Sequence, residues 1–426
     1  MRVLCLLAAL LATTVAAAAE PATSQRPVVP VIEGFSVARL QRLDRFMQQA
    51  TDASGYLGGV VLIARNGRIV KWDSYGHRDL ARRVPMQRDS IFRMYSMTKT
   101  VTAVAVLMLL EEGKLTLDDP VSRYLPEFAD VPVLAGGTAD APVLRNPKTP
   151  MTLLHLLTHT AGFSAGLPGD EVAGQLRERA GPENATDLQG YAARMARVPL
   201  AADPGTRFGY DSASSELAAR VVEVVSGMPF DRFLRERIFA PLQMRDTGFS
   251  VPEAQRARVV DITAMGADGK LQLDEGVSAG TPGAPLRRYS SAAGGLYSTA
   301  GDYARFSQML LNGGQLDGEI LLGRKTVEMM MRNQLTMLDP PVTQYRDDEG
   351  FGLGGSVVLE NGRRGQPGSP GQFGWPGAAS TSYTIDPKEQ LVAILLLQHL
   401  PRSVSGDLPR ISRHFYALVY QGLVGE

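Results

Sequence analysis

The chain has 426 residues, a formal net charge of zero and 44% hydrophobic residues, which is ordinary for a globular enzyme. Because the charge is balanced and no long basic run occurs, nucleic acid and anionic membranes are poor candidate partners. The one cysteine, Cys5, lies at the very start, so disulfides and cysteine-ligated metals are excluded from the rest of the chain.

The N-terminal segment has the order of a secretory signal peptide. Arg2 is followed by an apolar stretch and then by small residues, Ala16–Ala19, which is the sequence of charge, apolar centre and cleavage site. The apolar run is shorter than the ~20 residues that a transmembrane helix needs. We predict a signal peptide over 1–19, a tail over 20–35, and a periplasmic or secreted protein that is not inserted in a membrane after cleavage.

The first elements of the mature chain predict a helix and a hairpin. Apolar residues recur at helical spacing over 36–52. Asn66-Gly67 then separates two β-rich runs, 59–64 and 69–72, which is the pattern of a two-residue β-hairpin.

The tetrad Ser96-Met97-Thr98-Lys99 opens an apolar helix that ends near Gly113, and it is the only Ser-x-x-Lys in the sequence. A hydroxyl and an amine three residues apart lie on one face of a helix. Lysine can then draw the serine proton and turn a weak alcohol into a nucleophile. A serine N-cap followed by a solvated lysine is the alternative, and the tetrad by itself does not choose between them.

Helical patterns dominate the middle of the chain. Residues 133–150 carry Pro, Gly, Thr and Ala and predict a loop, and residues 241–290 are irregular. The predicted helices between these two stretches cover 151–158, 186–198, 213–225 and 229–238.

Strands return toward the C-terminus. Thr299-Ala300-Gly301-Asp302 is a capping-box pattern that opens a helix over 302–312. Further predicted elements are a helix over 321–333, strands over 356–359, 382–385 and 391–397, and a terminal helix over 406–423.

Strands thus occur at both chain ends, with helices between them. This order predicts an α+β fold in which an antiparallel sheet from both ends is flanked by helices and carries an inserted, mostly helical region. We predict one domain over 36–426, with its α/β part at about 36–95 and 291–426 and its helical insert at about 96–290.

A serine–lysine pair needs a further proton carrier. Tyr210-Asp211-Ser212 follows Pro204-Gly205 at a predicted loop-to-helix junction. A phenol becomes a useful base where a cation such as Lys99 favours the phenolate. Tyr289-Ser290-Ser291 matches the same loose pattern, so both tyrosines remain candidates at this point.

Two other patterns lack their required context. Gly162-Phe163-Ser164-Ala165-Gly166 matches a nucleophile elbow, but a helix precedes it where a buried strand is needed. His155 and His159 have the spacing of a zinc motif without its glutamate. We therefore predict no metal, no cofactor and no catalysis by Ser164.

Taken in order, Ser96–Lys99, Tyr210–Ser212 and Gly374–Gly377 resemble the three active-site motifs of the serine β-lactamase-like hydrolases. That family includes class C β-lactamases, penicillin-binding DD-peptidases and esterases of the same fold. The similarity runs from about Phe46 to the C-terminus. It implies that Ser96 is acylated, that Lys99 assists it and that Tyr210 is the general base.

The same resemblance implies the remaining site residues. The oxyanion hole would use the backbone N–H groups of Ser96 and Ala378, the latter just after an edge strand that tolerates Pro376. Ser212, Trp375 and Gly377 would contact the substrate.

Two departures from the family pattern bear on the substrate. Trp375 stands where the β-lactamases and peptidases carry Lys or His, as in the esterase branch, and Ser212 replaces an asparagine. Without that cation, the resemblance implies an esterase for small or medium acyl esters. The alternatives are a β-lactamase or D-alanyl-D-alanine carboxypeptidase or D-amino peptidase, and a non-catalytic periplasmic binding domain. The partner is then a small-molecule ester or amide, and the oligomeric state stays open.

Overall fold

The computed structural model describes residues 31–52, 55–402 and 404–425. Its α-helices, α1 to α12 in chain order, are Val37–Ala50, Thr98–Glu111, Leu153–Leu157, Glu171–Ala180, Leu188–Met195, Ala213–Ser226, Phe230–Leu234, Val277–Gly280, Ala300–Leu311, Arg324–Met330, Asn361–Arg364 and Ser412–Tyr420. Its strands, β1 to β17, are Val31–Ile32, Phe35–Ser36, Gly58–Arg65, Arg68–Gly76, Phe92–Arg93, Val133–Gly137, Pro142–Arg145, Thr263–Met265, Leu271–Leu273, Tyr297–Ser298, Gln315–Leu316, Glu319–Ile320, Glu349–Phe351, Ser356–Val358, Phe373–Pro376, Ser382–Asp386 and Leu391–Leu396.

Both ends of the chain contribute to one seven-stranded antiparallel sheet. Its strand order is β13-β14-β15-β16-β17-β3-β4, so the C-terminal strand β17 pairs directly with the N-terminal strand β3. The hairpin predicted at Asn66-Gly67 is β3–β4, with Asn66 and Gly67 both at positive φ. This arrangement confirms the predicted α+β fold with a sheet drawn from both ends.

Strands β3 and β17 are buried along their whole length and are almost entirely apolar, because both faces of the sheet are covered there. In β3, Val60 and Leu62 face a core that includes α2, α6 and α9. Val61 and Ile63 face a second core formed with α1 and α12. Successive side chains of a strand point to opposite faces, so a strand covered on both sides reads as a continuous hydrophobic run.

Helix α2, which follows the Ser-x-x-Lys tetrad, is buried on every side from Thr98 to Leu109. A helix that is apolar all round belongs in a core, and α2 packs against α6. Its Thr100 Oγ1 donates a hydrogen bond of 2.7 Å to the Gly354 carbonyl, on the loop that joins β13 and β14. The start of α2 is therefore fixed between the helical region and the sheet.

Several predicted elements differ in extent from the observed ones. The terminal helix is shorter than predicted, at Ser412–Tyr420, and α4 (Glu171–Ala180) was not predicted. The predicted loop over 133–150 is wrong in part, because β6 and β7 pair there as a hairpin. Contacts distant in sequence hold this hairpin, such as the hydrogen bond from the Leu134 N–H to the Leu200 carbonyl, and local composition does not report them.

The predicted signal peptide, residues 1–19, lies outside the described residues. Among the helices that are described, none is long and apolar enough to cross a membrane.

Candidate active site

Ser96 lies in a tight 3₁₀ turn, Tyr95–Met97, directly before α2. Tyr95 has φ of 45°, a left-handed conformation that is strained for a tyrosine and is typical of functional sites. The turn is held by a hydrogen bond of 2.9 Å from the Tyr303 hydroxyl to the Met97 carbonyl. No side chain caps α2, whose N-cap residue is Met97. The alternative in which Ser96 is an N-cap is therefore wrong.

Lys99 is buried and faces Ser96. Its ammonium lies 3.4 Å from the Ser96 hydroxyl and donates a 2.7 Å hydrogen bond to the Ala293 carbonyl. It also lies 4.9 Å from the centre of the Tyr210 ring. A buried cation needs such partners, and at 5% exposure Lys99 is not the solvated lysine of the alternative interpretation.

Tyr210 precedes α6 and is enclosed by aromatic rings. The indole N–H of Trp375 donates a hydrogen bond of 2.9 Å to the Tyr210 hydroxyl. The ring of His159 lies 4.7 Å from the Tyr210 ring, centre to centre, and that of Tyr345 lies 6.1 Å away. Tyr210 thus has a cation over its face and a neutral donor on its oxygen.

His159 and Asp211 form a buried pair beneath Tyr210. His159 Nδ1 and Asp211 Oδ2 are 3.2 Å apart. Burial lowers the pKa of His159 despite the adjacent carboxylate, which favours a neutral imidazole. Burial opposes the charge on Asp211, but hydrogen bonds from His159 and Ser214 hold its pKa below the usual range. The pair joins the loop of His159 to the start of α6 and so supports the position of Tyr210.

Tyr289, the other tyrosine candidate, is less suited to act as a base. Its ring packs at 5.5 Å from that of Tyr191. Burial, followed by the nearby Glu216 carboxylate, raises the pKa of Tyr289 far above its usual value. The Lys99 ammonium lies over the Tyr210 ring, so the geometry favours Tyr210 as the candidate base.

Strand β15 brings the third motif to Ser96. A side chain at Gly377 would place its Cβ 2.5 Å from the Met94 carbonyl oxygen, so glycine permits the close approach of this segment to the serine turn. Gly377 and Ala378 line the same cavity as Ser96. The predicted placement of the oxyanion donors is compatible with this arrangement.

The prediction that this motif ends an edge strand is wrong. β15 lies between β14 and β16 in the sheet. However, β14 pairs only with Phe373 and Gly374, whereas Trp375 and Pro376 pair on one side alone, with β16. Proline is tolerated because the short neighbouring strand ends before Pro376.

Two cavities meet at Ser96 and Tyr210. One, of about 500 Å³, runs along β15 and is lined by aromatic side chains that include Trp375, Phe373 and Tyr345. The other, of about 560 Å³, is more polar. The nucleophile candidate is therefore open to an apolar group on one side and to a polar group on the other.

Ser212 lines the polar cavity, but its hydroxyl accepts a hydrogen bond of 2.9 Å from Arg177. Ser164 lies outside both cavities, in the loop before α4, where its hydroxyl faces Gly174. Among the described residues, no group of three or more His, Cys, Asp or Glu side chains is arranged to hold a metal ion.

The sequence interpretation did not identify Glu216, a residue that is 2% exposed and lines the polar cavity. It accepts hydrogen bonds from Ser291 and the following backbone. A signal was present in the helical pattern, because Glu216 is three residues from both Ala213 and Ala219 and so shares the buried face of α6.

We expect Trp375→Phe to lower kcat/KM by about 10- to 100-fold. The change removes the indole N–H that Tyr210 accepts, and a hydrogen bond to a group that bears charge during reaction contributes about 1.5–3 kcal/mol. Steady-state kinetics at fixed pH measure the loss. Trp72→Phe is the matched control, since the Trp72 indole N–H is buried and has no acceptor among the described residues. Equal losses in both variants would refute a role for the Trp375 hydrogen bond.

Comparisons with known proteins identify the family of the chain. The family model described as Beta-lactamase matches residues 43–415. The chain is 33% identical to Protein Rv1367c of Mycobacterium tuberculosis over 365 residues, covering 83% of this chain and 89% of the relative. It is 31% identical to Esterase EstB of Burkholderia gladioli over 404 residues, covering 91% and 97% respectively.

Solved structures show the same fold. EstCE1, described as a hydrolase with promiscuous acyltransferase activity, matches with a TM-score of 0.73 and 26% identity, covering 91% of this chain and 99% of its own. Unliganded selenomethionyl simvastatin synthase from Aspergillus terreus matches with a TM-score of 0.75 and 25% identity, covering 90% and 98%. The resemblance inferred from the three motifs is thereby confirmed, and the chain belongs to the Beta-lactamase family and is a serine hydrolase of that fold.

Proposed function

We propose that the protein is a carboxylesterase that acts on small or medium acyl esters through an acyl-enzyme on Ser96. The observation that carries this proposal is the hydrogen bond from the neutral Trp375 indole to Tyr210. Trp375 stands at the position where a lysine would bind the carboxylate of a β-lactam or a peptide. Esterase EstB is a relative whose printed name agrees with this choice.

The reaction follows from the three side chains. Tyr210, acting as the general base, takes the Ser96 proton while the hydroxyl oxygen attacks the ester carbonyl carbon. Backbone N–H groups of Ser96 and Ala378 would stabilise the oxyanion. The intermediate collapses by breaking the bond to the alcohol oxygen, which takes the proton from Tyr210. In the second half of the reaction, Tyr210 takes a proton from water while the water oxygen attacks the acyl carbon. The bond to the Ser96 oxygen then breaks, this oxygen takes the proton from Tyr210, and the carboxylic acid leaves.

In this scheme each of the two cavities binds one part of the ester. The aromatic cavity along β15, which includes Phe373 and Trp375, suits an apolar acyl group. The polar cavity, which includes Ser212 and Arg287, is open to the alcohol. Acyl chains that exceed the aromatic cavity of about 500 Å³ should be poor substrates.

A second candidate function has its own observation. The Arg410 guanidinium lies at the aromatic cavity and donates hydrogen bonds of 3.2 and 3.1 Å to the Gly377 and Ala378 carbonyls. A cation at that place could also receive a substrate carboxylate, as a β-lactamase or D-alanyl-D-alanine carboxypeptidase requires. We rank this function second because the Arg410 guanidinium already donates these two hydrogen bonds to backbone carbonyl groups, which leaves fewer donors for a substrate carboxylate.

The substrate choice is tested by measuring turnover of nitrophenyl esters of increasing acyl length, a chromogenic cephalosporin and a peptide ending in D-Ala-D-Ala. We expect ester turnover to be highest for the short and medium chains and to exceed cephalosporin turnover. Rapid cephalosporin or peptide turnover without ester turnover would replace the esterase proposal by the second candidate. Absence of a fluorophosphonate adduct on Ser96 in folded protein would favour a non-catalytic binding domain.

Export of the protein is part of the proposal and is supported by the N-terminal sequence pattern. Expression of the full chain in a bacterium, fractionation and N-terminal sequencing test it. We expect mature protein in the periplasm or medium that begins near Glu20. Full-length protein confined to the cytoplasm would contradict export.

A further inference from the structure

The carboxylate of Glu216, on α6, is buried, and one short segment of chain donates three hydrogen bonds to it. It accepts a hydrogen bond of 2.5 Å from the Ser291 hydroxyl, one of 2.8 Å from the Ala292 N–H and one of 3.3 Å from the Ala293 N–H. A buried carboxylate is costly unless donors surround it. Three donors from consecutive residues therefore bind the segment firmly to α6.

The last residue of that segment also holds Lys99. While the Ala293 N–H points to Glu216, the Ala293 carbonyl accepts the 2.7 Å hydrogen bond from the Lys99 ammonium. Ala293 thus links the buried Glu216 carboxylate to the buried Lys99 ammonium. Moving the segment would move the acceptor that orients Lys99 toward Ser96 and the Tyr210 ring.

We propose that Glu216 is a positioning residue for the hydrolytic reaction, which fixes the Ala293 carbonyl on Lys99 and supplies the negative charge that balances this ammonium. The inference rests on the proposed roles of Ser96, Lys99 and Tyr210. It does not depend on which ester or amide is the substrate.

The charge state of Glu216 connects this role to pH. Burial raises its pKa to about 7, although the donors from Ser291 and Ala292 and the attraction of Lys99 act in the opposite direction. The Glu216 carboxylate in turn helps to raise the pKa of Tyr191 and of Tyr289, after burial. The charged side chains of Glu183, Asp211, Asp274 and Arg287 line the same polar cavity. Glu216 therefore changes charge within the neutral range, and we expect activity to rise with pH as it ionises.

Glu216→Gln tests the inference at nearly constant volume. The new amide nitrogen cannot accept a hydrogen bond, so part of the segment that ends at Ala293 loses its acceptor. We expect kcat to fall at least about tenfold while KM changes by less than about threefold, since only the interactions of the catalytic groups are altered. The rise in activity near neutral pH should disappear.

Asp302→Asn is the matched control. Asp302 is also a buried carboxylate that accepts a backbone hydrogen bond, from the Asp246 N–H at 2.8 Å, but it lines neither cavity at Ser96. We expect this variant to lose stability and to keep the wild-type kcat and pH profile. If both variants lowered kcat equally with unchanged pH profiles, Glu216 would have a structural role only.

Ser291→Ala gives a second, milder test. It removes one donor to Glu216 and leaves the charge, and the loss of a hydrogen bond that favours the carboxylate raises the pKa of Glu216 further. The neutral-range rise in activity should therefore move to higher pH. If the dependence of activity on pH is the same as in wild type in both Ser291→Ala and Glu216→Gln, the inference is overturned.

The rate of fluorophosphonate labelling at Ser96 separates this inference from the proposed function. Wild-type protein that is folded but not labelled would refute the nucleophile assignment itself. If wild type and Glu216→Gln are both labelled, at the same rate and with the same pH dependence, Ser96 remains the nucleophile and the proposed role of Glu216 is rejected. We expect labelling of both, at least about tenfold slower in the variant.

Discussion

Replacing Ser96 by alanine is expected to reduce ester turnover by on the order of 10⁴-fold or more, because the variant has no oxygen with which to form the acyl-enzyme. The fold should survive the change, since Ser96 is only partly buried and caps no helix. Steady-state kinetics give the loss of turnover. Intact-mass spectrometry after fluorophosphonate treatment should show an adduct on wild type and none on the variant.

Ser164→Ala is the appropriate control for this experiment. Ser164 is the serine of the elbow-like pattern, but it lies in a loop away from both cavities at Ser96. Its variant should retain wild-type turnover and labelling. Loss of activity in Ser164→Ala together with an active Ser96→Ala would transfer the nucleophile to the elbow and contradict the site described above.

Replacing Tyr210 by phenylalanine is the second large effect. We expect kcat to fall by ~100- to 10,000-fold, the usual contribution of a general base. Ring packing against His159 and Trp375 can be preserved in the variant, so the change isolates the hydroxyl. Pre-steady-state kinetics should show that acylation and deacylation are both slowed, because the same phenol transfers protons in both steps.

Tyr124→Phe controls for the loss of a partly buried phenol. The Tyr124 hydroxyl donates a 2.6 Å hydrogen bond to Asp119, and it lines neither cavity at Ser96. This variant should have lower stability and unchanged kcat. An unchanged rate in Tyr210→Phe would move the general base to Lys99 or Tyr289.

Much of the candidate site could be predicted because its parts are local patterns. Ser96 and Lys99 are one helical turn apart, so their proximity follows from helix geometry alone. Tyr210 and Trp375 were recognised through the order of family motifs. Their hydrogen bond joins residues 165 positions apart, and no spacing rule predicts it.

Elements held by distant contacts were predicted less well. The β6–β7 hairpin has the composition of a loop, and Leu200 and Asp203 hold it from outside through hydrogen bonds to Leu134 and Arg145. The same reason explains the error about the edge strand. Whether Pro376 has a neighbour depends on how far β14 extends, which is a property of another segment.

The sequence by itself determined the α+β class, the pairing of both chain ends in one sheet, and the proximity of Ser96 and Lys99, since these follow from hydrophobic periodicity and helix geometry. The chemistry expected of the serine–lysine pair came from the resemblance to the family. The tertiary structure decided which tyrosine meets Lys99, because it brings the Tyr210 ring to 4.9 Å from the Lys99 ammonium and packs the Tyr289 ring against Tyr191. It also showed that Glu216 and Lys99 act on opposite sides of Ala293. Such contacts depend on burial and on the approach of distant segments, and a linear pattern contains neither.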